Sequence, residues 1–181
     1  REIDALGYSS DFSIYDTDDS KKIVKQQMNR LQLNTDDVKP RAVQRAISSA
    51  KNQMIGPNEY ADMAHGRTQE ATAKVFPAYE AALKRANALD FDDLLLKPVK
   101  LFEQEPKILK TYQKRWRYVH IDEYQDTNRV QYTLAKQLAS SHKNLCVVGD
   151  DAQSIYAFRG ADISNILSFE RDYPDATTVR L

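Results

Sequence analysis

Two short runs hold most of the side chains that could do chemistry. The first, Asp122-Glu123-Tyr124-Gln125-Asp126, directly follows the stretch Tyr118-Val119-His120-Ile121. The second, Gly149-Asp150-Asp151-Ala152-Gln153-Ser154, directly follows Leu145-Cys146-Val147-Val148. An acid pair that ends an apolar strand has the physical form of a Walker B element. Asp122 would hold Mg2+, directly or through water, because that ion takes hard oxygen ligands and keeps several waters. Glu123 would orient or deprotonate the water that attacks a γ-phosphate. A competing reading has both acids capping the helix that starts at Thr127 or Asn128, since carboxylates favour helix N-termini. Gln153 is a neutral side chain able to bond a phosphate and register its presence or loss. Beyond it, Tyr156, Phe158 and Arg159 place two aromatics and a guanidinium within four residues. Aromatic faces stack on unpaired bases at about 1–3 kcal/mol per base, and Arg adds phosphate or cation–π contacts. The alternative for Tyr156 and Phe158 is a place in the core.

The other constellations are weaker. The glycines are Gly7, Gly56, Gly66, Gly149 and Gly160, and no G-x-x-x-x-G-K-[ST] can be built from them. Without a phosphate-cradling loop and its lysine, the chain alone is not expected to turn over ATP. His65, His120 and His142 are far apart with no ligand spacing, and the single cysteine, Cys146, excludes a disulfide framework or a Cys-rich zinc site. Asp90-Phe91-Asp92-Asp93 has the look of a metal site but starts a helical stretch, so capping and solvation are expected there. Ser9-Ser10, Ser48-Ser49 and Ser140-Ser141 lack nucleophile context.

The elements that must position these residues change character at Tyr118. Before it the chain reads as helical. Asp16 to Ser20 offers N-caps for a helix whose Ile23, Val24, Met28 and Leu31 share a face. Pro40 suits the first turn of a second, with Val43, Ala46, Ile47, Ala50 and Met54 as its stripe, stopped by Gly56-Pro57. A third stretch, from about Thr68 to Ala88, carries Val75, Phe76, Tyr79, Leu83 and Ala86, and Pro77 is expected to kink or divide it. Asp90 would cap a fourth helix containing Pro98, and Pro106 would open a fifth with Ile108, Leu109, Tyr112 and Trp116 apolar. After Tyr118 the order is strand, helix, strand, helix (Asp162 to about Tyr173) and strand (Thr177 to Leu181). The Leu145–Val148 run has the pattern of a strand buried on both faces. Such alternation implies a parallel sheet with right-handed crossovers. Ligands bind beyond the carboxyl ends of such strands, and adjacent strands would bring both acid runs to one rim. The architecture expected is a helical subdomain, roughly residues 10–88, joined to part of a parallel α/β domain, roughly 89–181.

Composition bounds the class. The 181 residues are 41% hydrophobic and 29% charged, with 26 basic and 26 acidic side chains. Residues 1–117 carry 20 Lys and Arg against 17 Asp and Glu, a net of +3, and residues 118–181 carry 6 against 9, a net of −3. Neither part looks like a generic polyanion binder, so any nucleic-acid partner needs a local site. No apolar run approaches the ~20 residues of a membrane span, and no secretory signal is visible. A cytoplasmic setting is expected. The chain opens at Arg1 without an initiator Met and closes at Leu181 inside an expected strand, as an excised piece of a longer protein would.

At the acid runs the sequence resembles the UvrD/PcrA/Rep-type superfamily 1 DNA helicases, most of all their PcrA branch. VHIDEYQDTN at 119–128 is similar to the family's motif II and VGDDAQSIYAFRGAD at 148–162 to its motif III. LDFDDLL at 89–95 and ILSFERDYP at 166–174 also match family segments. The resemblance implies an α/β fold, a partial RecA-like parallel sheet of P-loop NTPase type with an inserted all-α subdomain. It divides the chain into the end of an N-terminal 1A segment (1–9), the helical 1B insertion (10–88) and the returning part of 1A (89–181). It implies ATP and Mg2+ as cofactors, with Asp122 serving Mg2+ and Glu123 the catalytic base. Gln153 is implied as the γ-phosphate sensor linked to DNA, and Tyr156, Phe158 and Arg159 as single-stranded DNA contacts. The parent would be a 3′→5′ translocase acting on single strands and single-strand/duplex junctions in DNA repair or replication, with proteins of those processes as partners. Walker A and the second motor domain lie outside these residues.

Two other classes compete. A metal-dependent nuclease would use Asp122, Glu123, Asp126 and Asp150 as two-metal ligands and cut without nucleotide. A non-catalytic module would bind DNA or protein through the helical part, insensitive to ATP.

Overall fold

Asp16 ends an extended segment, and its carboxylate accepts the backbone N–H groups of Asp18 and Asp19, both at 2.8 Å. That satisfies two otherwise orphaned donors and starts α1 (Thr17–Arg30). The computed structural model describes residues 1–150, 165 and 169–179. They fall into two compact units, Arg1–Ile108 and Leu109–Leu181.

In the first unit, α1 is followed by α2 (Pro40–Asn52), α3 (Pro57–Asp62) and α4 (Arg67–Arg85). The expected stripes meet in one core, with Val24 and Met28 of α1, Val43, Ile47 and Ala50 of α2, and Val75, Phe76, Tyr79 and Leu83 of α4 all buried. Three details differ from expectation. Gly56-Pro57 does not stop α2, which ends at Asn52 with Met54 in a left-handed turn (φ 63°); the proline instead opens α3, where its missing N–H costs nothing. Pro77 does not divide α4, which runs through it; the proline is exposed while Val75, Phe76 and Tyr79 around it are packed. And α4 does not reach Ala88. It ends at Arg85, Asn87 turns at φ 47°, and β2 (Ala88–Asp90) follows, paired in parallel with β1 (Ser13–Tyr15) in the register Ser13↔Ala88. The segment read as wholly helical thus contains a two-stranded sheet.

Asp90, at the end of β2, accepts the N–H of Asp93, the first residue of α5 (Asp93–Gln104), at 2.8 Å, but the cap position expected of it is held by Asp92, whose side chain makes no capping bond. Solvation is not what these acids meet. Lys51, the penultimate residue of α2, is 1% exposed, with its Nζ 2.6 Å from Glu80 Oε1, 2.7 Å from Asp90 Oδ2 and 3.1 Å from Asp93 Oδ1. Tyr79 donates its phenol to Asp90 Oδ2 at 2.8 Å. Lys97 adds a second cation, 3.3 Å from Asp93 and 3.4 Å from Glu80. Among the described residues, Glu80, Asp90 and Asp93 form the one group of three metal-ligating side chains with ligand atoms within 4.8 Å of one another, and the cation they surround is the Lys51 ammonium.

Burial alone would depress that ammonium, but the Asp90, Asp93 and Glu80 carboxylates raise it well above its ordinary value. Burial also raises the Asp93 carboxyl, against the pull of Lys51. A lysine whose pKa is raised by folding contributes fully below the unfolded value of ~10.4 and loses that contribution as pH climbs past it toward the folded value. The difference in urea midpoint between wild type and Lys51→Met is therefore expected to be constant from neutral pH to about 10 and to shrink above it. A difference that shrinks below pH 9 would contradict this sign.

In the second unit, α6 (Pro106–Arg115, beginning just before the unit's first residue) is tied to α7 (Arg129–Ala139) by buried Gln113. Its Nε2 donates to the Gln137 carbonyl at 2.8 Å and to Ser140 Oγ at 2.9 Å. Trp116, expected on the apolar face of α6, lies past its end and is 44% exposed. β3 (Val119–Ile121) and β4 (Leu145–Val147) pair in parallel with Val119 opposite Leu145, the adjacency expected from the α/β alternation. β4 is not buried on both faces, however. Leu145 and Val147 are half-buried, whereas Cys146 and its pair His120 point to an open face. The segment Thr177–Val179, expected as strand, is irregular. Of the helix expected over 162–173, Asn165 and Phe169–Asp172 are helical, Tyr173 is not, and the others lie outside the described residues.

Candidate functional site

The ladder between β3 and β4 continues past both strands. Val148 donates its N–H to the Ile121 carbonyl at 2.8 Å, and Tyr124 donates to the Val148 carbonyl at 2.9 Å. These two bonds hold the start of the first acid run beside Val148, which leads into Gly149 and Asp150; the rest of the second run lies outside the described residues. Between them the chain must turn sharply, and it does so at Glu123, whose φ of 50° and ψ of 44° are left-handed. For a residue with a Cβ that conformation costs on the order of 1–3 kcal/mol and is concentrated at functional sites. A single 3-10 turn, Tyr124–Asp126, follows.

Apart from Asp126, which is exposed, the rest of the turn is anchored. Tyr124 is 1% exposed, its ring edge-on to Phe169 at 5.6 Å between centroids, and burial pushes its phenol well above the ordinary value. Thr127 donates its hydroxyl to the Tyr124 carbonyl at 2.7 Å and accepts from Asn165 Nδ2 at 3.2 Å. Asn128 caps α7 in a reciprocal pair with Gln131, each side chain accepting the other's backbone N–H at 3.0 Å. The competing reading of Asp122 and Glu123 as caps of α7 is thereby removed, because Asn128 holds the cap position and its side chain takes the Gln131 N–H.

What remains exposed is the acid pair at the end of β3, with Asp126 beyond it. Asp122 is exposed, with Oδ1 accepting the N–H of Glu123 at 2.9 Å. Glu123 is exposed too, but its Oε2 accepts from Gln125 Nε2 at 2.7 Å. Gln125 is 1% exposed, and its Oε1 accepts the N–H of Asp150 at 3.0 Å. One buried amide thus joins the first acid run to the second. Sequence reasoning passed over Gln125, although it stands inside VHIDEYQDTN; an uncharged side chain among four acids and aromatics gave no chemical signal.

An exposed carboxylate at the end of a strand suits Mg2+, which keeps most of its waters and needs few protein oxygens. Asp122, Glu123, Asp126 and Asp150 do not gather three ligand atoms within 4.8 Å, so the nuclease alternative gains no support. A cavity of about 660 Å3 lies on the open face of the sheet, lined by His120, Cys146, Lys136, Phe169 and Tyr173, and includes none of these acids. Gln153, Tyr156, Phe158 and Arg159 lie outside the described residues.

A family model described as UvrD/REP helicase N-terminal domain matches residues 1–174. Over all 181 residues the chain is 46% identical to the ATP-dependent DNA helicase PcrA of Bacillus subtilis (strain 168), 47% to that of Leuconostoc citreum and 46% to that of Staphylococcus aureus (strain Mu50 / ATCC 700699). The whole of this chain aligns with 24%, 24% and 25% of those proteins, so it spans about a quarter of their length.

Proposed function

Because the chain belongs to the UvrD/REP helicase family, we propose that it is part of the motor of an ATP-dependent DNA helicase that moves 3′→5′ on single-stranded DNA and opens duplex at single-strand/duplex junctions. The observation that carries this reading is the exposed Asp122–Glu123 pair at the end of β3, with Glu123 held by a buried amide. Asp122 is the residue that would hold Mg2+, and Glu123 takes the proton from the attacking water. Bound Mg2+ would supply charge neutralisation at the phosphate oxygens of ATP. Gln153 would bond the γ-phosphate, and Tyr156, Phe158 and Arg159 would stack on and clamp the strand. Residues 1–9 and 89–181 would belong to the RecA-like 1A domain and residues 10–88 to its helical insertion 1B. The setting is DNA repair or replication in the cytoplasm, alongside proteins of those processes; no described helix is long and apolar enough to cross a membrane.

The test is ATP hydrolysis with and without single-stranded DNA, on the chain and on the longer protein that contains it. The chain is expected to be silent, since it carries no G-x-x-x-x-G-K-[ST] loop. The longer protein is expected to hydrolyse ATP faster when DNA is present. Cutting of DNA with Mg2+ alone and no ATPase would replace this reading with the nuclease.

A further inference from the structure

We infer that Gln125 is a positioning residue that relays the state of the segment beginning at Asp150 to the carboxylate of Glu123. The inference rests on the reading of Glu123 as the base. The side chain is 1% exposed, and both ends of its amide are engaged, Nε2 to Glu123 Oε2 at 2.7 Å and Oε1 to the Asp150 N–H at 3.0 Å. The orientation of the amide is set by its partners, because a carboxylate only accepts and a backbone N–H only donates. Reversing it would break both bonds. A planar group gripped at two ends in a packed site cannot follow one partner without moving against the other. The partner on the far side is backbone, three residues before Gln153 and six before Tyr156. A shift of that backbone on binding phosphate or a DNA strand therefore reaches the oxygen of Glu123 through one side chain, while Glu123 itself stays exposed to solvent and water.

Glu123 hangs on a left-handed backbone whose neighbours Asp122 and Tyr124 are fixed by other bonds. Gln125 is the one side chain among the described residues whose hydrogen bonds join Glu123 to the second acid run. Its removal should leave nucleotide binding alone and loosen the carboxylate.

The experiment compares Gln125→Leu with wild type in the longer protein, measuring kcat and KM for ATP with and without single-stranded DNA. The expected result is a DNA-stimulated kcat lower by roughly 10–100-fold, the scale of a lost hydrogen bond to a charged group. The KM for ATP should change by about twofold or less, and the rate without DNA should fall by a smaller factor than the stimulated rate, so that the stimulation ratio collapses; a merely structural role would lower both rates alike. A second readout needs no activity. In the 181-residue chain, the Asp150 amide is expected to exchange with solvent faster by a similar factor in Gln125→Leu, as followed by NMR. Unchanged stimulation, or unchanged Asp150 exchange, overturns the relay while leaving the helicase reading intact. Absence of DNA-stimulated ATPase in wild type overturns the helicase reading itself. Should Gln125→Leu fail to fold, Gln125→Glu decides by the same readouts, because it keeps the volume but sets a carboxylate against Glu123.

Discussion

Glu123→Gln in the longer protein is expected to lower DNA-stimulated ATP turnover by about 10²–10⁴-fold, the range over which a positioned general base acts. The substitution is nearly isosteric, and its amide oxygen can still accept from Gln125 Nε2 where Glu123 Oε2 now does, at 2.7 Å. What it removes is the ability to take a proton from water. The KM for ATP should therefore stay close to wild type, since Glu123 is not expected to bind nucleotide in the ground state. Steady-state ATPase with saturating single-stranded DNA checks both numbers. A variant that keeps its rate would show that the water is activated elsewhere, and Asp126 on the same turn would become the next residue to replace.

The second large effect is on folding. Lys51→Met is expected to destabilise the chain by about 3–5 kcal/mol, the cost of removing one partner from a buried ion cluster. The methylenes survive the substitution. The loss falls on Asp90 and Asp93, which are 5% and 0% exposed and would face each other and Glu80 with only Lys97 to balance them. Set against total stabilities of about 5–15 kcal/mol, such a loss leaves a large unfolded fraction. Urea denaturation measures it. The triple variant Lys51→Met, Asp90→Asn, Asp93→Asn should recover part of the loss, because the penalty comes from uncompensated carboxylates. A cost below about 1 kcal/mol would mean that the cluster behaves like a solvated surface pair.

How far the sequence could be read depended on the range of the interactions involved. The stripes of α1 and α2 are local and periodic, and of the residues expected to face inward Val24, Met28, Val43 and Ile47 are buried, while Leu31, past the end of α1, is exposed. The acid-terminated β3 and the parallel neighbour β4 followed from the alternation of apolar runs with a helical stretch. β1 and β2 did not. Each is three residues long, too short to show a period of two, and each exists only through its partner across the chain. Lys51 was invisible for a related reason. A lysine near the end of a helix is ordinarily solvated, and nothing nearby in sequence says that Glu80, Asp90 and Asp93 close around it. Within the site, Asp122 and Glu123 announced themselves by charge and by their place after a strand, while Gln125 acts through geometry alone.

The backbone of Glu123 has a consequence for how this position changes over time or in the laboratory. Its left-handed conformation is one that glycine or asparagine adopts at less cost than glutamate. The local preference of the chain and the demand of the chemistry therefore pull position 123 in opposite directions. Selection for robustness alone, with turnover unmeasured, would drift toward the smaller residues and discard the carboxylate. A carboxylate retained there under selection for turnover would be retained against that local preference.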